Sequence, residues 1–356
     1  MKRILVINPG STSTKIAYYE DEICIWKESI GIDENKRKDY PTIWSQLDMR
    51  YEMIMSNLTT HHTDPEKLDC VVSRGGLIGQ VSSGAIAIDD RVLDVLKNRP
   101  VNHHASNLGA AIAYKIASPY GIPSYIYDPV TVDEMIDIVR ITGLKEASRF
   151  GQGHNLNMRA AAQKYCKDNG IDYYRANVIV AHLGGGITLS LQSNGRIIDM
   201  MSDDDGPFSP ERAGEIPTFK LVKIIFDNNM DRNSTMKMLQ RQGGLMSHMG
   251  TSDVLKVEDL AKSGDAHAIL ILDAMALSIA RSIAKLSVVV SGNVDAIILT
   301  GGIAYSAYIT QLIKDRVSFI ANVHIVPGEN EMEALAKGAL RVLNNEEEVN
   351  VFVEKN

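Results

Sequence analysis

Cysteine is scarce in this 356-residue chain: Cys24, Cys70 and Cys166 are widely spaced and odd in number. They make neither a disulfide framework nor a zinc pattern, which excludes a stapled secreted scaffold and fits a reducing compartment. All three are read as structural, Cys70 within a strand. Uncharged apolar runs of membrane-spanning length, about 18 residues or more, are also missing. The longest candidate, Ala266 to Val290, is interrupted by Asp273, Arg281 and Lys285 and reads as a buried helix running into a short strand. The N-terminus enters a strand at once, without the n-region and cleavage site of an export signal, so a cytoplasmic location with no membrane partner is expected. Positive charge is in deficit, 37 Lys and Arg against 44 Asp and Glu for a net charge of -7. That argues against a nucleic-acid partner, which needs a basic stripe. No G-x-x-x-x-G-K-[ST] string occurs, and Gly151-Gln152-Gly153 lacks the third glycine of a dinucleotide fingerprint, so neither standard nucleotide motif is present.

What is present is ordinary in bulk, 45% apolar and 23% charged residues, as in soluble globular proteins. The length exceeds what one core usually supports, so two domains are the default. The most informative stretch is the first. Ile4 to Ile7 reads as a buried strand, Asn8-Pro9-Gly10 as a turn, and Thr14 to Tyr19 as a returning strand. Gly10 allows close backbone approach, Ser11, Thr12, Ser13 and Thr14 supply hydroxyl donors, and Lys15 supplies positive charge, which is what holding a phosphate requires. Val178 to Leu191 repeats the design half a chain later, with His182-Leu183-Gly184-Gly185-Gly186 at the turn. Two such hairpins predict a duplicated α/β architecture with two phosphate loops facing each other across a cleft.

Between and beyond the hairpins, several strand ends carry chemistry. Asp69 to Gly76 is an apolar strand ending in Arg74 and two glycines, which places a guanidinium where ligands of open α/β sheets bind. Ser124 to Pro129 repeats that arrangement with Asp128, a candidate for orienting magnesium. Helical spacing covers Tyr40 to Leu58 and Ala105 to Ile116, and Glu34 to Asp39 reads as a charged loop. Arg149 to Asn157 joins the halves and opens a helix at Met158, with His154 able either to donate to a phosphate oxygen or to cap the helix. Ser202 to Glu215 is a long ordered loop carrying Arg212, and such loops are more often functional than decorative. Val294 to Ala304 is a buried strand ending in Gly301-Gly302, which suits backbone approach to a flat ligand. Met332 to Leu343 is the last helix.

Asn8-x-Gly10-Ser11-x-Ser13-x-Lys15, Ala181-His182-Leu183-Gly184-Gly185-Gly186, Gly206-Pro207-Phe208-Ser209-Pro210-Glu211-Arg212, Leu299 to Ala304 and Glu331 to Ala336 together resemble the butyrate kinases. These form a group of the acetate kinase family, within the actin, hexokinase and heat-shock ATPase superfamily. The likeness runs from Ile4 to about Leu343. It implies two duplicated ribonuclease-H-like domains with a central cleft, here 1–150 plus 332–356 and 151–331, the latter carrying the nucleotide site. It also implies ATP and a short-chain carboxylate as partners, giving ADP and an acyl phosphate with Mg2+. Carried over residue by residue, Asn8, Ser11, Ser13 and Lys15 form the first phosphate loop, and His182, Gly184, Gly185 and Gly186 the second. Arg74 and Arg212 resemble the active-site arginines, Asp128 the catalytic aspartate and His154 the transition-state histidine. Glu331, with Asn8, resembles the magnesium site, Glu329 standing close by, and Gly301 and Gly302 line the adenosine. Phe150 to His154 is more polar and glycine-rich than the corresponding butyrate kinase segment, which bears on the acyl pocket. A homodimer or higher homo-oligomer is expected.

A carboxylic acid with a pKa near that of Glu, about 4.3, is already an anion at neutral pH, so its phosphorylation needs no general base. The rival readings are a sugar kinase or polyphosphatase of the same superfamily, and a non-catalytic ATP-binding regulator. A neutral sugar hydroxyl would call for a carboxylate base and fewer arginines, and a regulator for an appended partner-binding segment. Acetate, propionate, butyrate and isobutyrate are not distinguished by the sequence.

Overall fold

The computed structural model describes residues 1–33 and 38–354, so most of the charged loop read at Glu34 to Asp39 lies outside the described residues. The chain forms two compact units, Met1–Asp133 with Asn330–Asn356, and Glu134–Glu329.

In the first unit β1 (Arg3–Pro9), β2 (Ser13–Glu20) and β3 (Ile23–Gly31) form an antiparallel meander. They are followed by β4 (Cys70–Arg74), β5 (Ala85–Ala87) and β6 (Ser124–Tyr127), in the spatial order β3-β2-β1-β4-β6-β5. β4 runs parallel to β1, with Ile7 opposite Ser73, and β6 runs parallel to β4, with Arg74 opposite Tyr127. Ile4 to Ile7 are inaccessible on both faces of the sheet, which is why β1 is an unbroken apolar run rather than an alternating one. Helices α1 (Leu47–Thr60), α2 (Asp90–Asn98), α3 (Asn107–Ala117) and the C-terminal helix Glu331–Leu343 complete the unit. The helix predicted from Tyr40 begins only at Leu47, after a single tight turn at Trp44–Gln46.

The second unit holds helices α4 (Asp137–Arg140) and α5 (Asn155–Asp168), then the meander β7 (Asn177–Leu183), β8 (Ile187–Ser193) and β9 (Arg196–Met201). Five helices follow: α6 (Thr218–Asp227), α7 (Arg232–Arg241), α8 (Gly244–Met249), α9 (Val254–Lys262) and α10 (Ala266–Ser287). β10 (Ala296–Gly301), α11 (Ala307–Val317) and β11 (Val323–Pro327) close it, in the sheet order β11-β10-β7-β8-β9. β10 is parallel to both β7 and β11. Each sheet therefore has an antiparallel meander whose first strand takes a parallel neighbour from later in the chain, the duplication that the two hairpins foretold.

Two expectations are corrected. The segment 134–150 belongs to the second unit rather than the first. Ile136 N–H donates to Ile198 O (3.0 Å), Ile197 N–H donates to Glu134 Oε2 (3.1 Å), and Arg149 pairs with Asp199 and Asp205. These are long-range contacts that a glycine-marked boundary at 151 does not encode. Asn330 and Glu331 likewise belong to the first unit. Val288–Val290 is not a strand: it is a tight helical turn ended by Ser291 in the left-handed region, with Gly292 N–H returning to Ser287 O (2.9 Å). No helix among the described residues is long and apolar enough to cross a membrane.

Candidate active site

The first unit assembles its polar residues at one end of its parallel strands. Because β1 and β4 are parallel neighbours, Asn8 and Arg74 leave the sheet at the same carboxyl end, where open α/β sheets bind ligands. Glu331 opens the C-terminal helix and joins them. Its Oε2 accepts from Asn8 Nδ2 at 2.7 Å and lies 3.4 Å from Arg74 Nη1. A carboxylate in the first turn of a helix is also favoured by the helix dipole. Asn8 is buried, Glu331 nearly so, and Arg74 keeps about a quarter of its side chain exposed.

Asp128 follows β6 at the same end of the sheet. It is buried, its φ is +39°, and its Oδ1 accepts from the Gly84 N–H at 2.7 Å. A non-glycine residue in that region is strained, and such strain gathers at functional sites. Around the first turn Ser11 and Lys15 are exposed and Ser13 is half-buried, with Lys15 directly opposite Asn8 in the β1–β2 ladder. Asn8, Ser13, Lys15, Arg74, Asp128 and Glu331 are thus gathered at one end of the strands of one sheet.

The second unit builds its site around the β7–β8 turn. His182, 1% exposed, is the penultimate residue of β7, and its Nδ1 lies 2.8 Å from Asn157 Nδ2. Its other ring nitrogen, Nε2, stands 3.3 Å from Glu329 Oε1. His154 stacks on the same ring, centroids 3.9 Å apart and planes 10° apart, while its Nδ1 lies 3.0 Å from Thr188 Oγ1 on β8. His154 stands at the N-cap position of α5 without a side-chain hydrogen bond to the helix, which begins at Asn155 rather than Met158.

The long loop is fastened to this turn by the buried Ser209, whose Oγ donates to Gly185 O at 2.7 Å. A Cβ on Gly186 would sit 3.1 Å from Asp203 Oδ1, 3.6 Å from Arg212 Nε and 3.8 Å from His154 Cε1, so these three side chains converge on that glycine. Arg212 Nε lies 3.2 Å from Asp203 Oδ2, and Arg212 also donates to Gln240 O. Burial pushes the Asp203 carboxyl above the usual carboxylate range, against the opposite pull of Arg212. Gly301, with φ +88°, passes so close to β7 that a Cβ would be 2.5 Å from Leu183 O, whereas Gly302 is exposed with open space beside it.

Asn157, Thr188, Thr300, Asp203 and Glu329 orient this site, and most carried no signal of their own in the sequence. Asn157 is an exception: it lies one helical turn after His154, the spacing that puts two side chains on one face. The two glutamates that stood close in sequence separate cleanly, Glu331 beside Asn8 and Arg74, Glu329 beside His182. No group of three or more His, Cys, Asp or Glu that could hold a metal exists among the described residues. One carboxylate at Glu331 with the Asn8 amide suits Mg2+ arriving on a nucleotide, since that ion keeps several waters and binds through one or two carboxylates plus phosphate oxygens.

The acetokinase family model matches residues 149–353. A probable butyrate kinase from Coprothermobacter proteolyticus is 43% identical over 353 residues, covering 98% of this chain and 99% of the relative. Among solved structures, the acetate kinase of Porphyromonas gingivalis superposes with a TM-score of 0.80 at 19% identity, covering 96% of this chain and all of that one. A propionate kinase from Francisella tularensis subsp. tularensis superposes with a TM-score of 0.75 at 20% identity, covering 95% and 99%. At such identities the superpositions establish the fold, that of the actin-like ATPases. With the family model matching more than half of the chain and the relative matching nearly all of it, this chain belongs to the acetokinase family.

Proposed function

We propose that the chain phosphorylates a short-chain fatty acid at its carboxylate, with ATP as donor and an acyl phosphate and ADP as products, reversibly and by direct in-line transfer. Butyrate, or a branched acid such as isobutyrate, is the acceptor this reading favours. The observation that carries it is the 43% identity to a probable butyrate kinase along almost the full length of both chains.

The chemistry asks little covalent work of the protein. The acid arrives ionised, and the obstacle is the approach of two anions to about 3 Å. Fixed positive charge offsets that repulsion. Arg74 and Arg212 are assigned this role with Lys15, each arginine held by a carboxylate, Glu331 or Asp203, that sets its direction. Asn8, Ser11, Ser13 and Lys15 are assigned to one phosphate group, and His182, Gly184, Gly185 and Gly186 to another. His154, stacked on His182, is assigned to charge developing at the transferred phosphoryl. Gly301 and Gly302 give backbone access to the adenosine. Asp128 orients the metal or the acid and takes no proton. Asn8 and Glu331 would hold Mg2+, which would supply positive charge against the phosphates.

A homo-oligomer is part of this reading. It is supported by α6, a helix without a single buried residue that exposes Phe219 and Phe226.

The test is a hydroxamate assay with ATP, Mg2+ and hydroxylamine, supplying acetate, propionate, butyrate, isobutyrate and glucose separately. Product with butyrate or isobutyrate above that with acetate supports the assignment. Two methylenes are worth roughly 1.6 kcal/mol, or about 15-fold. Binding of ATP with no product from any acid would sink it in favour of a non-catalytic ATP-binding role.

A further inference from the structure

Beneath the first turn lies a charged group that no assignment above uses. Arg50, on α1, is 1% exposed and is among the largest fully buried side chains of the protein. Its Nη1 donates to Gly10 O (3.0 Å), Ser13 O (3.4 Å) and Thr14 Oγ1 (2.9 Å). Its Nε and Nη2 both donate to Gln46 Oε1, at 3.2 and 2.9 Å, one helical turn away. Thr12 O is occupied separately by the Ile32 N–H at 2.9 Å. The carbonyls of Gly10, Thr12 and Ser13 are therefore all engaged from within the protein, while Ser11 and Thr12 stand exposed at the tip. A carbonyl turned toward an anion repels it. A turn whose acceptors are drawn inward presents its donors instead.

Closing the turn does not need a guanidinium, because the Gly10 N–H already bonds to Ser13 O at 2.7 Å. Burying a full positive charge costs several kcal/mol, a poor way to make a hairpin tight and a good way to place fixed charge behind an anion site. We propose that Arg50 is a positioning residue for the anion bound at the first turn: it holds the Gly10 and Ser13 carbonyls away from the ligand and backs the turn with a buried positive charge. The bound group is a phosphate of the nucleotide, so the inference rests on the reading of this turn as a phosphate loop.

Calorimetric titration of the full chain with Mg2+·ADP tests it, comparing Arg50→Met, Arg50→Lys, Thr14→Val and Lys15→Ala, with a melting curve for each. A hydrogen bond to a charged group is worth about 1.5–3 kcal/mol, so Arg50→Met is expected to weaken ADP binding by roughly tenfold to a hundredfold. Arg50→Lys, lacking the fork, falls in between, and Thr14→Val, which removes a single acceptor, gives a loss of about threefold. The KM of the carboxylic acid should move less than twofold in all three, which separates positioning of the phosphate from general loosening. If Arg50→Met does not fold, Arg50→Lys and Thr14→Val decide. Loss of ADP affinity in Lys15→Ala with none in the Arg50 and Thr14 variants overturns the role of Arg50 and leaves the phosphate loop standing. No loss in any of the four overturns both.

Discussion

Asp128 combines burial, a φ of +39° and hydrogen bonds in both directions with the Gly84 backbone, and it follows directly on Tyr127, the β6 partner of Arg74. Asn tolerates the left-handed region as well as Asp does, so Asp128→Asn removes the charge while keeping the backbone. Turnover is expected to drop by about a hundredfold with the melting temperature nearly unchanged, since a misplaced reactant costs about that much. Steady-state kinetics beside a melting curve check this, and a turnover within threefold of the parent would remove Asp128 from the site. At this scale the sequence was legible where a residue's place follows from local grammar. Arg74 and Asp128 each end an apolar strand, and the ends of parallel strands in an open sheet face the ligand. Arg50 and Thr188 were not legible. Their roles come from contacts with residues far off in the chain, and Arg50 sits in a stretch whose periodicity predicted only a helix.

The same division holds for whole elements. The two hairpins were read correctly because an apolar run, a small-residue turn and a second run need no long-range information. The boundary near residue 150 was misplaced because Arg149 is anchored by its pairing with Asp199 and Asp205, on and just beyond β9. Burial pushes the Asp199 carboxyl up, more than Arg149 pulls it down. A carboxyl whose folded pKa is raised contributes stability that is present below its unfolded value, about 3.9, and lost as pH rises through the folded value. Relative to Asp199→Asn, which does not titrate, the parent's melting temperature should therefore decline as pH climbs from 4 toward 7. A difference that stays flat across that range would refute the shift. At the end of β10, Gly301→Ala meets Leu183 O at 2.5 Å in a φ of +88° and is expected to destabilise the fold by about 3 kcal/mol. Gly302→Ala meets nothing and should melt like the parent, yet raise the KM for ATP severalfold if adenosine lies against it. Unchanged KM in a stable Gly302→Ala would take the adenosine elsewhere.

For the molecule as a whole, the family and its fold were legible in five short strings, but nothing in the periodicity marked α6 as unusual. Its sequence, with Phe219, Leu221, Val222, Ile224, Ile225 and Phe226, would ordinarily line a core. In the structure Leu221 helps line a cavity of about 470 Å3, while Phe219 and Phe226 are 92% and 75% exposed. Phe219, Val222 and Phe226 follow the three-then-four spacing of a single helical stripe, the pattern of a helix that packs on another helix. Thr142 lines the same cavity, and its neighbours Ile138, Ile141 and Leu144 are exposed too. Each phenylalanine offers about 150–250 Å2, and with the aliphatic side chains the exposed apolar surface approaches the roughly 800 Å2 per partner of a stable interface. Such a surface can close on a second copy around a two-fold axis, because antiparallel pairing of α6 with itself sets Phe219 against Phe226 from both directions. Phe219→Asp combined with Phe226→Asp is therefore expected to yield monomers at micromolar concentration, where the parent is expected to sediment as a dimer or larger. Neither residue is assigned to the reaction, so acid specificity in the hydroxamate assay should survive the change. Equal sedimentation of parent and variant would place the contact between copies elsewhere, or show that the parent is itself a monomer.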